Sequence, residues 1–502
     1  MYHFLFFTDY VDTVNVSKVM GAYKLAHELR SCGYKCLVID HLHTFTREEF
    51  DLVIKKTVTK DTLGVGFSTT FFQNVNLPPN ADGSLTYTTM PGDTFFPQGK
   101  QFEQESVDYI KSINSNCKII IGGARVSPSC QNRNIDYLFI GFSESSIVNL
   151  AEHLSKNINL ENATKNLWGV TIVDDRMAKN YNFKNTPFKW LPEDIVNARV
   201  LPIEIGRGCI FKCKFCSFPM NGKQNLDFIK NAELLRVELQ ENYDNYGITT
   251  YWIVDDTFND NDTKLDMILD VVKQLTFQPI FWSYVRVDLM RTKDQIDKLY
   301  AIGLRGFYFG LETLNKKAGA VIGKGYDPNK QIETICELRR RYGNSVQLHG
   351  SFIAGLPKED HASLNYTFER LMDGSIPLHS FDFKPLVLEK TDQFAWTSEF
   401  GKNYKDYGYT ELGVIGGRYI DWANEYMTFT TAQEIVKQFK DTSLASDRFG
   451  ISGLILFSLK NYGYDNFEEL VNTSHKGADW HQWSLRKEQY IQEYKEKLWT
   501  LI

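Results

Sequence analysis

The sequence predicts an α/β protein in three parts: a doubly wound domain over residues 1–155, a partial (β/α)6 barrel over 201–387, and a mostly helical, aromatic-rich region over 388–502. Residues 156–200 read as a connector. Three observations carry this division. In the first part, short continuous apolar runs bounded by turn residues alternate with helical stretches, the pattern of parallel strands covered on both faces. The alternation stops near 155 and restarts at Leu201 with six strand candidates over about 185 residues, where a complete eight-stranded barrel takes about 250. Beyond 388 it ceases, and Trp396, Trp422, Trp480, Trp483 and Trp499 stand in largely helical sequence.

Taken in order, His3–Phe7 is the first strand, followed by a loop (Thr8–Ser17) and a helix (Lys18–Arg30). Cys36–Ile39 and Leu63–Ser68 are the second and third strands. Lys118–Ile121 before Gly122-Gly123 is the fourth, and Tyr137–Ile140 before Gly141 the fifth, leading into a helix around Ile147–Leu154. Gln73–Gln101, rich in Pro, Gly, Asn and Thr, interrupts the third unit as a loop or lid. The connector holds a small strand pair at Gly169–Val173 and a turn-prone segment, Asn185–Asp194. Barrel strands are expected at Pro202–Gly206, Thr250–Asp255, Ile280–Arg286, Gly306–Glu312, Val346–Ala354 and Ser380–Leu386, with helices such as Lys264–Leu275, Lys293–Ala301, Lys330–Tyr342 and Ala362–Asp373 between them. In open parallel sheets and barrels alike, ligands gather beyond the carboxyl ends of the strands.

Composition narrows the function. The 502 residues are 43% hydrophobic and 24% charged, ordinary for a globular chain, and 34 Gly with 14 Pro exclude collagen-like or disordered classes. A net charge of −6 gives no support for a chain that coats nucleic acid. No window approaches the ~18–20 apolar residues of a membrane span. The start Met1-Tyr2-His3-Phe4-Leu5-Phe6-Phe7 lacks the basic residues and cleavage site of a signal peptide. A cytoplasmic location without a membrane partner is expected. Of eight cysteines, Cys32, Cys36, Cys117, Cys130 and Cys336 are scattered, whereas Cys209, Cys213 and Cys216 fall within eight residues. In a reducing compartment that clustering favours metal ligation or redox chemistry.

The cluster reads Gly206-Arg207-Gly208-Cys209-Ile210-Phe211-Lys212-Cys213-Lys214-Phe215-Cys216, spacing C-x3-C-x2-C, directly after the first barrel strand. Three thiolates on so short a loop can converge on one iron–sulfur cubane, leaving its fourth iron open to a small molecule. A structural zinc site takes four ligands, and no further Cys or His follows within twenty residues. The loop, with Phe215 just before the last cysteine, resembles the signature of the radical S-adenosylmethionine (radical SAM) superfamily. The resemblance implies a 4Fe–4S cluster on Cys209, Cys213 and Cys216, with SAM chelating the fourth iron and being cleaved reductively to a 5′-deoxyadenosyl radical. It implies that Phe215 packs near the adenine and that an external reductant such as flavodoxin or ferredoxin supplies the electron. It extends over about 200–390. Asp255 and Asp256 end the second barrel strand where the family commonly has Gly-Gly-Glu, so either can meet the SAM amino group; helix capping or ion pairing is the alternative. Arg286 ends the third strand and would fork onto SAM's carboxylate. Glu312 lies in Gly310-Leu311-Glu312-Thr313, resembling the family's Gly-x-Glu-Ser/Thr element; the alternative is that Arg286 and Glu312 pair with each other. Gln347, His349 and Ser351 share one face of the fifth strand, which leads into Gly355-Leu356-Pro357, resembling the adenine-contacting turn. Ser351 and Gly355 are the contacts expected there, and His349 reads as a satisfied interior histidine.

A doubly wound, Rossmann-like domain ahead of such a barrel resembles the cobalamin-binding radical SAM class. Ser68 and Thr69 after the third strand, Gly122 and Gly123 after the fourth, and Gly141 and Ser143 after the fifth are the small residues expected to admit the corrin or its nucleotide tail. The Asp-x-His-x-x-Gly pattern that supplies a cobalt-ligating histidine is absent: Thr8-Asp9-Tyr10-Val11-Asp12 follows the first strand, and His41 and His43 after the second do not fit it. The resemblance implies an enzyme using 4Fe–4S, SAM and cobalamin, methylating an unactivated carbon. The alternatives are radical chemistry without cobalamin (cyclisation, rearrangement, thiolation or dehydrogenation) and a non-catalytic metal-cluster scaffold. The substrate is not legible.

Overall fold

Phe4–Phe7 (β1), Cys36–Ile39 (β2), Gly64–Ser68 (β3), Lys118–Gly122 (β4) and Tyr137–Gly141 (β5) form a parallel sheet in the order β2-β1-β3-β4-β5. The computed structural model describes residues 1–8, 14–68, 103–123, 126, 135–167, 169–176, 181–218, 220–223, 228–290, 293–324, 327–391, 396–415 and 419–502. Thr69, Gln73–Gln101, Asp9–Asp12 and Cys130 lie outside the described residues.

Strand alternation sorts the first sheet's two faces. Phe4 and Phe6 join one core with the helices Met20–Ser31 and Glu144–Lys156, and this core runs on into the barrel. Leu5 and Phe7 join the other, with Phe50, Val53 and Ile54 of Arg47–Thr57 and Val107 and Ile110 of Glu103–Ile113. The sheet continues past 155. Thr171–Asp175 (β7) pairs parallel with β5 and antiparallel with Ala163–Lys165 (β6), giving seven strands. The short, exposed Ala-Thr-Lys of β6 has no apolar alternation to announce it.

Val200–Ile203 (β8), Thr250–Ile253 (β9), Ile280–Val285 (β10), Leu304–Glu312 (β11), Gln347–Ala354 (β12) and Ser380–Pro385 (β13) form a second, all-parallel sheet whose spatial order is the sequence order. Helices between the strands start on side-chain caps: Asn231, Asn261, Asp327 (before Pro328) and Asp360 each accept a first-turn N–H. The barrel's amino-terminal end is closed by the helix Gly453–Leu459. Gly306 admits it, since a Cβ there would lie 2.1 Å from Trp282 and 2.8 Å from Phe457.

The C-terminal region is helical apart from one hairpin, Thr410–Ile415 (β14) with Tyr419–Ala423 (β15). β14 is largely exposed and carries no buried apolar run, so composition gave no sign of it. The last helix, Trp480–Leu501, returns to the N-terminal sheet, where Tyr494 and Leu498 enter the second core and the Tyr494 hydroxyl accepts the Asp40 amide at 2.7 Å. No described helix is long and apolar enough to cross a membrane.

Candidate active site

A cavity of about 540 Å³ opens at the carboxyl ends of the barrel strands, and Cys209, Cys213 and Cys216 all line it. The loop that carries them is anchored at its start. Asp255 accepts the amides of Ile205 and Gly206, both at 2.8 Å, and faces Lys264 at 3.5 Å. Gly208 takes φ +71, where a Cβ would sit 2.7 Å from both the Cβ and the carbonyl of Met220. Cys209 is buried, its sulfur 3.3 Å from the Thr257 hydroxyl and accepting the Phe211 amide at 3.4 Å. Burial pushes the thiols of Cys209 and Cys216 up, the latter to about 11. Thiolates there therefore need positive charge brought to them. Among the described residues no three His, Cys, Asp or Glu side chains close on a single-ion site; the thiols flank a cavity rather than a point.

The strand ends supply ionisable groups around it. Asp256 lines the cavity, its carboxyl pushed up to about 7 by burial and by neighbouring Asp255 and Glu204. Arg286 forks onto Asp288 at 2.9 and 2.8 Å, stacks 3.8 Å over Phe211, and lies 3.4 Å from the Cys213 sulfur. Glu312 pairs with Lys324 at 3.0 Å, so Arg286 and Glu312 do not pair with each other. Glu312 holds φ +66 beside a register shift in the β11–β12 ladder, a conformation that costs about 1–3 kcal/mol for a non-glycine residue. Gly310 permits it: a Cβ would stand 2.5 Å from the Glu312 carboxylate and 3.1 Å from Lys324 Nζ. Lys324 also donates to the Gly310 carbonyl and lies 5.8 Å over the Phe215 ring.

Ser351, Tyr284 and Tyr308 complete the cavity floor. Behind them His349 shares a hydrogen bond with the Ser380 hydroxyl at 2.8 Å, stands 3.8 Å from Asp382, and packs its ring 4.7 Å from Tyr308. Burial raises the Tyr284 phenol to about 12, so it is neutral.

Residues 203–371 match the Radical SAM superfamily. That match runs from the end of β8 past β12 and takes in the cysteine loop. Two curated relatives match the chain. One is an uncharacterised methyltransferase of Pyrococcus horikoshii, 28% identical over 282 residues, covering 52% of this chain and 58% of that protein. The other is the bacteriochlorophyllide d C-8(2)-methyltransferase of Chlorobaculum tepidum, 24% identical over 215 residues, covering 38% and 46%. This chain thus spans about half the length of the curated relatives it matches. The solved structure of the radical S-adenosylmethionine methyltransferase TsrM of Kitasatospora setae, with cobalamin and a 4Fe–4S cluster bound, superposes with a TM-score of 0.65 over 99% of this chain and 100% of that one, at 14% identity. The cobalamin-dependent S-adenosylmethionine radical enzyme OxsB, with aqua-cobalamin bound, gives 0.61 over 100% and 81% at 13% identity. At these identities the likeness is one of fold, and it covers the N-terminal sheet, the barrel and the C-terminal region together.

At the barrel mouth, the cavity brings together Phe215, Asp255, Arg286, Glu312 and Ser351. Gly355 stands apart. At φ +98 it is covered by Trp422, which would meet a Cβ at 2.3 Å, and its carbonyl accepts Tyr409 at 2.7 Å and Asn424 at 3.2 Å. The unforeseen hairpin β14–β15 brings Trp422 there. Sequence reasoning also missed Lys324, which has no motif around it, and Glu359, whose buried carboxyl takes the Thr313 hydroxyl and is pushed up to about 8 by burial.

At the edge of the N-terminal sheet facing the barrel, Ser68 ends β3, Gly122 ends β4 with Gly123 directly after it, and Gly141 ends β5 before Ser143. Gly123 has φ +126 and Gly141 φ +106, and a Cβ on Gly141 would stand 2.4 Å from the Asp175 carbonyl. The Ser143 hydroxyl donates to the Gly141 carbonyl at 3.3 Å. Glu144, the next residue, is bound by Arg207 of the cysteine loop, so this edge and that loop adjoin. His41 is buried instead against the last helix, its ring 6.0 and 4.9 Å from those of Tyr490 and Tyr494.

Proposed function

We propose that the protein is a radical SAM enzyme that carries a 4Fe–4S cluster on Cys209, Cys213 and Cys216, binds SAM in the barrel cavity and cobalamin on the N-terminal sheet edge, and methylates an unactivated carbon. The observation that carries this reading is that three thiols and the ionisable ends of four strands line one cavity. Its 540 Å³ lies within the roughly 300–1,000 Å³ of small-molecule sites. Ser68, Gly122, Gly123, Gly141 and Ser143 at the ends of β3, β4 and β5 are small, which suits the approach of a flat macrocycle to the strand ends.

When bound, the cluster supplies the electron that cleaves SAM and cobalamin supplies a methyl group. The chain's own residues bind and orient. Asp256, its carboxyl pushed up to about 7 by burial, would accept the SAM ammonium, because Asp255 is already committed to the Ile205 and Gly206 amides. The Glu312–Lys324 pair offers a carboxylate to ribose hydroxyls and an ammonium to the SAM carboxylate. Arg286, beside the Cys213 sulfur, balances thiolate charge. Phe215 and the neutral phenols of Tyr284 and Tyr308 exclude water from the reacting centre. Flavodoxin or ferredoxin is the class of reductant such a site takes.

Anaerobic reconstitution with and without hydroxocobalamin, followed by dithionite and SAM, tests the reading. Formation of 5′-deoxyadenosine, with S-adenosylhomocysteine appearing only in the cobalamin-loaded sample, is the expected result. 5′-Deoxyadenosine alone in both samples would leave radical chemistry without methyl transfer, and neither product would leave a non-catalytic cluster module.

A further inference from the structure

Arg207 stands two residues before Cys209 and is buried between the two domains. On its own segment, Nε donates to Glu204 at 2.7 Å and Nη2 to the other Glu204 oxygen at 3.1 Å. Across the domain boundary, Nη1 reaches Glu144 at 3.3 Å and Nη2 binds its second oxygen. Lys24, from the helix Met20–Ser31, pairs with Glu204 as a second buried cation. The rings of Phe142, Tyr181 and Phe183 lie 4.6, 5.2 and 4.6 Å from the guanidinium.

The main chain beside it is pinned as well. The Arg207 amide donates to the Phe228 carbonyl at 2.9 Å, and its carbonyl accepts Lys223 Nζ at 2.7 Å. A displacement of the guanidinium is therefore passed to the cysteine loop. Glu144 is as firmly placed: it opens the helix Glu144–Lys156, where the helix dipole favours a carboxylate, directly after Gly141–Ser143.

Such an array is a poor device for stability. Buried ion pairs commonly break even or lose against apolar residues of equal volume. What two carboxylates on a planar guanidinium fork do supply is direction, because distance and rotation are fixed together. We propose that Arg207 is a positioning residue: it locks the cysteine loop to the Gly141–Ser143 turn, so that the proposed cluster and the proposed corrin edge keep one separation and one orientation. The names of the two cofactors rest on the function proposed above; the lock itself does not.

The test uses the reconstituted full chain in a Cys130→Ser background, with nitroxide labels on the exposed Cys32 of the N-terminal domain and Cys336 of the barrel. Pulsed electron paramagnetic resonance reads the distance between them in wild type, Arg207→Lys, Arg207→Gln and Glu144→Gln. Arg199→Ala, which removes an exposed pair with Asp465 at 3.1 Å, is the control. The three interdomain variants are expected to keep their iron and sulfide yet show a broadened or shifted distance distribution, with S-adenosylhomocysteine falling relative to 5′-deoxyadenosine. The control is expected to match wild type. Distributions like wild type in Arg207→Lys and Glu144→Gln would overturn the proposal, even with a lowered melting temperature. Failure of wild type to take up cobalamin would sink the methylation reading while leaving the distance result to decide the lock. If Arg207→Gln does not fold, the charge-keeping Arg207→Lys and the isosteric Glu144→Gln still decide it.

Discussion

The barrel mouth and the edge of the N-terminal sheet are both the carboxyl ends of parallel strands, yet they are made of different materials. At the barrel mouth the working surface is side chains: thiols, Asp256, Arg286, Glu312 and Lys324. At the sheet edge it is backbone, exposed by Gly122, Gly123 and Gly141, two of them at positive φ. The contrast teaches how each site prepares itself. Charged strand ends find partners before any ligand arrives, Arg286 on Asp288 and Glu312 on Lys324, so a ligand must exchange contacts with them. The glycines carry no side chain to pair, and Gly141 lies close against the Asp175 carbonyl.

The largest expected effect separates the two sites outright. Cys209→Ala, Cys213→Ala or Cys216→Ala should abolish the cluster absorption near ~400 nm of a thiolate-ligated centre, while Cys336→Ala leaves it intact. None of the four should reduce cobalamin uptake. Gly141→Val is the mirror experiment. Its side chain would overlap the Asp175 carbonyl in a left-handed backbone, costing on the order of 1–3 kcal/mol or more. Uptake of cobalamin should fall and iron content stay. Loss of both together, or of neither, would mean the two edges are not separate sites.

Next in size is the SAM contact. Glu312→Gln and Lys324→Met should each weaken SAM binding by about tenfold to more than a hundredfold, the roughly 1.5–3 kcal/mol of a charge-assisted hydrogen bond. Arg286→Gln should act mainly on the cluster instead, lowering its midpoint potential because a cation beside Cys213 is removed. Calorimetric SAM titration and a spectroscopic redox titration of the three proteins check this division.

Two pH effects are smaller. Asp256 is neutral below about 7 and charged above it. SAM affinity should accordingly rise as pH passes through 7, and the rise should vanish in Asp256→Asn. Glu359 has its carboxyl raised to about 8 when folded, whereas the unfolded chain ionises near 4.5. Between those values the unfolded state releases a proton that the folded state keeps, so stability falls as pH rises and levels off above 8. Glu359→Gln should therefore stabilise the fold more at pH 8 than at pH 5, by at most a few kcal/mol, seen as a larger rise in melting temperature at pH 8.

What could be read in the sequence follows the same division of materials. All six barrel strands and five of the seven first-sheet strands were legible because their apolar runs stand out from their bounding turns. The cysteine loop was legible because its spacing is itself the chemistry. Lys324 was not: it reaches Glu312 from a loop after a six-residue helix, and only the three-dimensional return of that loop makes it a partner. The surroundings of Gly355 were not legible either, because its neighbour across the fold is Trp422 of a hairpin with little apolar pattern. Arg207 stands within the motif, but the sequence does not mark its partner, since Glu144 lies 63 residues away and no periodicity links them.

The central claim is that the three thiols leave one iron open to SAM inside this cavity. Electron paramagnetic resonance of the anaerobically reduced, reconstituted protein, recorded before and after SAM is added, tests it most directly. A reduced-cluster signal whose g-values shift on SAM addition in wild type, and shift less at the same SAM concentration in Glu312→Gln, is the predicted result. A cluster signal that SAM leaves unchanged in wild type would contradict it.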